Sequence, residues 1–318
     1  MSLPHGGDLD RAMDRWGGRR SDWLDLSTGI NPRAYPASPP PPHALAALPT
    51  RAEMAALSSV ASAAYGAPRA LPLCGAQQAI GLVPMLAPPG LARVLSPTYG
   101  EHAAALRAAG WTVEEPADPG ALPGADLAVV VNPNNPDGRR LDPDALMRIA
   151  GRTGLLVVDE SFADPHPKLS LAGRLDEALN ILVQRSFGKF HGLAGLRLGF
   201  ALGSEGLLDA LEGIAGPWPV SGPAIHAGTE ALRDAAWRRR ETARLAEESA
   251  RLEALGRRAG WGLVGATALF ATFEVPGGTQ ERLAERRVWT RAFPQRPGWL
   301  RLGLPADWGR LERALRQR

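Results

Sequence analysis

Three uninterrupted apolar runs, Leu127–Val131, Leu155–Val158 and Ile181–Val183, constrain this chain more than any other feature. A run with no polar alternation is what a parallel strand buried on both faces requires. Shorter strand-like segments flank them, at Arg93–Ser96, Trp111–Glu114 and Leu198–Gly203. Helical stretches lie between. One covers Glu101–Ala109, and another starts at Asp142-Pro143, where aspartate is placed to cap and proline fits the first turn. Strand and helix in alternation predict an α/β fold with a doubly wound, mostly parallel sheet. Ligands of such sheets bind beyond the carboxyl ends of the strands. The three runs end in Asn132–Asn135, in Asp159, and in a loop carrying Lys189, so all three ends are expected to face one crevice.

Lys189 stands out because lysine is so scarce. Of the 36 basic residues, 34 are arginine, and the two lysines are Lys168 and Lys189. Where arginine supplies the generic positive charge, a retained lysine points to an amine that can deprotonate, which guanidinium cannot offer. Imine formation with an aldehyde is the commonest such need. A surface lysine after a strand is the plain alternative.

Composition narrows the remaining classes. The chain has 318 residues, 45% of them hydrophobic, enough for one large domain with an appendage or for two domains. A net charge of +3 is too small to argue for nucleic acid, and Arg238-Arg239-Arg240 lies among glutamates as a solvated helix face would. The single cysteine, Cys74, excludes an internal disulfide framework and fits a reducing compartment. The opening residues lack the pattern of a signal peptide, and no apolar stretch reaches the roughly 20 residues a membrane span needs. A cytoplasmic setting, without membrane or nucleic-acid partners, is the expectation.

Outside the alternating region the chain is less regular. His5-Gly6-Gly7 precedes a short helix over Leu9–Trp16, and Asp25–Pro32 leads into a proline-rich run ending at Pro42. Ala52–Tyr65 reads as a helix, and Gly75-Ala76-Gln77 as a helix start whose open N–H groups favour an anion. Ala224–Arg258 predicts one or two long, charge-rich helices. Beyond them, strands over Ala268–Val275, Val288–Phe293 and Trp299–Leu304 and helices over Gln280–Arg286 and at the C-terminus predict a small α+β unit. The expected organisation is an arm over 1–45 belonging to the small domain, a large domain over 46–222 and the rest of the small domain over 223–318.

The strand-end residues make a matched set. Lys189 can bind an aldehyde, Asp159 can hold a protonated ring nitrogen, and Asn135 can donate to a ring oxygen. Ser186, Arg197 and the Gly75–Gln77 amides can hold a phosphate, and Tyr99 can lie against a ring. Pyridoxal 5'-phosphate carries those parts. Taken one at a time, Asp159 could be a helix cap, Arg197 a surface ion and Tyr99 a core aromatic.

Asn132-Pro133-Asn134-Asn135-Pro136-Asp137-Gly138, Val157-Val158-Asp159-Glu160 and Ser186–Gly199 resemble the motifs of fold-type-I pyridoxal-phosphate enzymes, in the histidinol-phosphate aminotransferase branch. His5-Gly6-Gly7, Asp25–Pro32 and Gly216–Pro223 look like those of threonine-phosphate decarboxylases of cobalamin biosynthesis within that branch. The resemblance implies that family's architecture, a homodimer, no metal, and pyridoxal 5'-phosphate on Lys189. It pairs Asp159 with the pyridine nitrogen and Asn135 with the 3'-oxygen. It gives the phosphate to Ser186, Arg197 and Gly75-Ala76-Gln77, and stacks Tyr99 on the ring. Arg301 would meet the substrate carboxylate, and His5, Gly6, Asn31 and Arg291 would meet the substrate's own phosphate. The implied reaction converts L-threonine O-3-phosphate to (R)-1-aminopropan-2-yl phosphate and CO2. Phe162 and Leu48-Pro49-Thr50 depart from the aminotransferases of the branch, which usually carry tyrosine at both places. An aminotransferase using 2-oxoglutarate and a catalytically silent cofactor-binding module are the alternatives.

Overall fold

The computed structural model describes residues 6–316, so His5 lies outside the described residues. The chain forms two compact units, one of 34–135 and 140–239, the other of 1–33, 136–139 and 240–318. These divisions fall at 33 and 239, where the sequence reading puts them at 45 and 222. Hydrophobic burial accounts for the difference. Tyr35 joins the core of the larger unit, and so do Ala224, Ile225, Ala231 and Leu232.

In the larger unit, seven strands among the described residues form one sheet. They are β1 (Ala70–Leu73), β2 (Leu91–Val94), β3 (Thr112–Glu114), β4 (Leu127–Val131), β5 (Leu155–Asp159), β6 (Ile181–Ser186) and β7 (Gly199–Gly203). Their order is β1-β7-β6-β5-β4-β2-β3. Pairing is parallel from β3 through β6, while β7 runs antiparallel to both β6 and β1. The expected doubly wound, mostly parallel α/β sheet is therefore present.

Both faces are covered. Leu127, Val129, Leu155, Val157 and Leu182 face one apolar layer, built with α2 (Gly75–Leu82), α3 (Glu101–Ala108) and α5 (Glu205–Ala215). Ala128, Val130, Leu156, Val158, Ile181 and Val183 face the other, built with α1 (Arg51–Tyr65), α4 (Pro143–Ala150) and α6 (Gly222–Arg233). Side chains alternate along a strand, so Asp159 continues the Val157 face and Glu160 the Val158 face. A slip of one residue would exchange the two carboxylates, and complete burial of Val157 and Val158 forbids it. Local signals agree with these boundaries. Thr50 and Glu53 form a capping box at α1, and the Asp142 side chain accepts from Ala145 N at the start of α4.

In the smaller unit, β8 (Gly262–Thr267), β9 (Phe270–Glu274), β10 (Arg291–Ala292) and β11 (Trp299–Gly303) form an antiparallel sheet in the order β10-β11-β9-β8. Leu24–Asp25 pairs in parallel with Val288–Trp289 in a separate ribbon. The strand expected over Val288–Phe293 is thus two strands broken at Thr290, each serving a different sheet. Trp16, Trp23 and Trp289 pack with Leu9, Ala12 and Ala284.

Candidate active site

Adjacent parallel strands β4, β5 and β6 bring the three strand ends side by side in the larger unit. After β4, the Asn132 side chain accepts from Leu141 N (2.9 Å) and donates to Leu141 O (3.0 Å). Asn134 accepts from Thr98 Oγ1 (2.6 Å) and donates to Pro97 O (2.8 Å). Two of the motif's asparagines therefore build the loop, and the third, Asn135, stands at its end.

Asp159 closes β5 and is sealed from solvent. Its Oδ2 lies 3.0 Å from His102 Nε2, and its Oδ1 accepts from Ser161 N at 2.9 Å. With a carboxylate as acceptor, Nε2 carries the proton. Burial pushes the carboxyl up, but the His102 hydrogen bond and charge and the Ser161 hydrogen bonds outweigh it and hold it below its usual value. The fold therefore keeps an ionised carboxylate in an apolar setting, suited to a cationic ring N–H. His102 lies on α3, one turn after Tyr99, whose ring meets the imidazole edge-on at 6.3 Å. The Tyr99 hydroxyl donates to Gln77 Oε1 at 3.1 Å.

The expected anion site lies at the start of α2. Gly75 has φ +74°, and a Cβ there would stand 3.1 Å from Arg197 Nη2, so the guanidinium rests directly on the helix start. Arg197 itself is left-handed (φ 54°, ψ 49°), which turns it back toward α2 while its Nη1 donates to Ala194 O at 3.2 Å. Ser186 faces Gly199 across the β6–β7 ladder. Helix N–H groups, a guanidinium and a hydroxyl make a site for a phosphate dianion.

Lys189 sits in a single helical turn, Phe187–Phe190, that begins as β6 ends. Its Nζ lies 5.9 Å from the centre of the buried Phe162 ring. The larger unit thus carries an amine on Lys189, an ionised carboxylate on Asp159, the Tyr99 phenol and a helix start at Gly75 that a Cβ would fill. This donor set fits pyridoxal 5'-phosphate at its aldehyde, ring nitrogen, ring face and phosphate.

A family model described as Aminotransferase class I and II matches residues 40–316. The chain belongs to the class I and II aminotransferase family. It is 45% identical to a threonine-phosphate decarboxylase of Pseudomonas aeruginosa, over 98% of this chain and 97% of that one. It is 44% identical to one from a Sinorhizobium species, over 96% of this chain and 95% of that one. Among solved structures, histidinol-phosphate aminotransferase of Sinorhizobium meliloti in complex with pyridoxal 5'-phosphate superposes with a TM-score of 0.82 at 18% identity, over 99% of this chain and 93% of that one, and is alike in fold.

This aminotransferase-family chain is a pyridoxal-phosphate enzyme, and its larger unit holds every cofactor residue expected from sequence: Gly75, Ala76, Gln77, Tyr99, Asn135, Asp159, Ser186, Lys189 and Arg197. His102 was not among them. Its signal is positional: it stands three residues after Tyr99, and its N donates to Tyr99 O at 3.4 Å as α3 begins.

The residues expected at the substrate lie in the smaller unit. Arg301 on β11 is buried, donates through Nη2 to Ser27 O at 2.6 Å, and stacks its guanidinium 5.1 Å from the Phe270 ring and 6.0 Å from Phe293. Arg291 is its cross-strand partner and stacks 5.3 Å from the same Phe293. Gly6 approaches both Ser27 and Arg301, since a Cβ would lie 2.2 Å from Ser27 O and 3.4 Å from Arg301 Nη2. Asn31 makes side-chain contacts within the same unit. Its Nδ2 donates to Glu241 Oε1 (2.7 Å) and its Oδ1 accepts from Arg244 Nη2 (2.6 Å), on α7 (Ala235–Arg258).

Among the described residues no helix is long and apolar enough to cross a membrane, and no cluster of His, Cys, Asp and Glu is arranged to hold a metal ion.

Proposed function

We propose that this chain decarboxylates L-threonine O-3-phosphate to (R)-1-aminopropan-2-yl phosphate and CO2 with pyridoxal 5'-phosphate. The observation that carries the reading is its 45% identity, from end to end, with a threonine-phosphate decarboxylase. Phe162 beside Lys189 supports it, because the resemblance gives aminotransferases of the branch a tyrosine there.

When bound, the cofactor supplies an electron sink for the charge left on the substrate Cα. The protein's own groups do the rest. Asp159, kept ionised by His102 and Ser161, holds the ring nitrogen protonated. Arg197, Ser186 and the α2 amides bind the cofactor phosphate, and Tyr99 restricts the ring. Lys189 holds the cofactor covalently. Its amine would also be the group available to return a proton to the substrate Cα. Arg301 orients the substrate carboxylate. A strong grip on a leaving carboxylate would stabilise the ground state, and its Nη2 is already engaged by Ser27 O, which favours orientation over tight binding. Arg291, Gly6 and Asn31 would supply the phosphate end, together with His5, which lies outside the described residues.

The protein acts as a homodimer in the cytoplasm on this reading. Exposed Leu45, Leu48 and Trp218 on the larger unit support an interface, and light scattering on the purified protein tests it.

Incubation with threonine phosphate, without any oxo-acid, should yield CO2 and aminopropanol phosphate. A strict requirement for 2-oxoglutarate would identify an aminotransferase instead. A visible absorption band that ignores substrate would identify a silent binding module.

A further inference from the structure

The turn that carries Lys189 is one helical turn long, Phe187–Phe190. Isolated helices of that length do not hold themselves, because fixing the first turn costs more than its single hydrogen bond returns. Its orientation must come from packing, and beneath it lies a closed set of rings. His191 is 0% exposed. Its imidazole lies parallel to Phe187 (4.2 Å, 13°) on one side and to Trp237 (5.6 Å, 12°) on the other. Phe190 meets His191 edge-on at 5.2 Å and Trp237 edge-on at 5.5 Å. Tyr35 closes the set against Trp237, edge-on at 5.1 Å. The backbone is held too, since His191 O accepts from Tyr35 N at 2.8 Å.

The imidazole has no acid–base work here. Burial drives its pKa down to about 3, so the ring is neutral at working pH. Its Nδ1 lies 3.3 Å from Phe187 O, which assigns the proton to Nδ1, and Nε2 is buried without a hydrogen-bond partner. What remains is shape. A flat ring between two others fixes the turn about its own axis, and the Nδ1–H bond to Phe187 fixes the ring within its plane. Offset and edge-on ring pairs stabilise a packed cluster beyond the area they bury.

We propose that His191, stacked between Phe187 and Trp237, is a positioning residue that sets the direction in which the Lys189 amine leaves its turn. The inference rests on Lys189 being the cofactor-bearing lysine. Phe187 and His191 bracket Lys189 at two residues on either side, so a rotation of the stack becomes a displacement of Nζ.

The test uses the holoenzyme and the variants His191→Leu, His191→Phe and Trp237→Leu. Four quantities are read: the pH midpoint of the visible absorption band, kcat and KM for threonine phosphate, and the thermal midpoint. Borohydride reduction with peptide mass mapping locates the cofactor. His191→Leu and Trp237→Leu should each move the band's pH midpoint by about half a unit or more and lower kcat by roughly 10- to 100-fold, the scale of a misplacement near 1 Å, with KM little changed. His191→Phe keeps a flat ring and should restore both readouts to near wild type. If His191→Leu does not fold, Trp237→Leu removes the other face of the stack while keeping the imidazole and decides the matter alone. A lower thermal midpoint with the band and kcat unmoved overturns the inference, because the stack would then be structural only. A reduced label found away from Lys189 overturns the lysine assignment itself, a separate failure.

Discussion

His102 Nε2 lies 3.0 Å from Asp159 Oδ2, and both side chains are closed to solvent. On the proposed reading, the pair decides which charge the cofactor ring meets. Asp159→Asn keeps the shape and removes the charge, so kcat should fall by at least roughly 100-fold, as when a buried charged partner is deleted. His102→Asn keeps the carboxylate but loosens it, and about a tenfold loss is expected, the usual effect of removing a group that orients a ligand's ligand. Steady-state kinetics at saturating cofactor, with cofactor affinity measured alongside, separates the two.

On the opposite face of the sheet, Arg185 lies 3.0 Å from Glu160 and 3.9 Å from Asp164, with its guanidinium 4.7 Å from the Tyr65 ring. Glu160 also accepts from Leu171 N (2.7 Å) and Ser170 Oγ (2.6 Å). Burial pushes both carboxyls up, and Arg185 is the main opposing influence on each. Arg185→Met should therefore cost about 3–5 kcal/mol in urea unfolding, since it strands buried carboxylates. Arg185→Met with Glu160→Gln should recover a good part of that loss.

Much of this arrangement is legible in the residues, for identifiable reasons. Asn135, Asp159 and Lys189 follow uninterrupted apolar runs, and such runs have one use in an α/β sheet. Asp142 and Pro143 announce α4 because a cap and a fixed φ are local chemistry. His102 was hidden because its value comes from Asp159, 57 residues away. Strand β8 was missed because Gly262 and Gly265 carry no β-propensity and the strand lies at a sheet edge. The division at 239 falls inside α7, so no break in secondary structure marks it in the sequence. The charge pattern runs on through it.

Gly75→Ala places a Cβ in a left-handed residue and 3.1 Å from Arg197 Nη2. The backbone cost is about 1–2 kcal/mol, and the guanidinium must withdraw from the helix start. Cofactor affinity should weaken about tenfold or more, as expected for disturbing a charge-assisted contact. Equilibrium titration of the apoprotein with pyridoxal 5'-phosphate measures it, and unchanged affinity would remove Gly75 and Arg197 from the phosphate site.

Phe162→Tyr adds a hydroxyl to the ring whose centre is 5.9 Å from Lys189 Nζ. On the reading given to this position, that hydroxyl donates to the cofactor's phenolate oxygen and favours the deprotonated chromophore. The pH midpoint of the visible band should fall by roughly one unit. Products from threonine phosphate should stay the same without oxo-acid, because the hydroxyl tunes the chromophore and does not choose the bond to break.

His191 also makes a prediction about stability. Its folded-state pKa, about 3, lies below the ordinary value of 6.5. A depressed pKa means that the unfolded chain binds the proton more tightly, so this contribution is present above pH 6.5 and is lost as pH falls toward 3. Between pH 7 and pH 5 the wild type should lose about 2 kcal/mol more than His191→Phe, which has no proton to take up. Urea unfolding of both proteins at each pH measures the difference. Parallel curves would mean that the buried imidazole is not held neutral, and the ring stack beneath Lys189 would have to be redrawn around a charged His191.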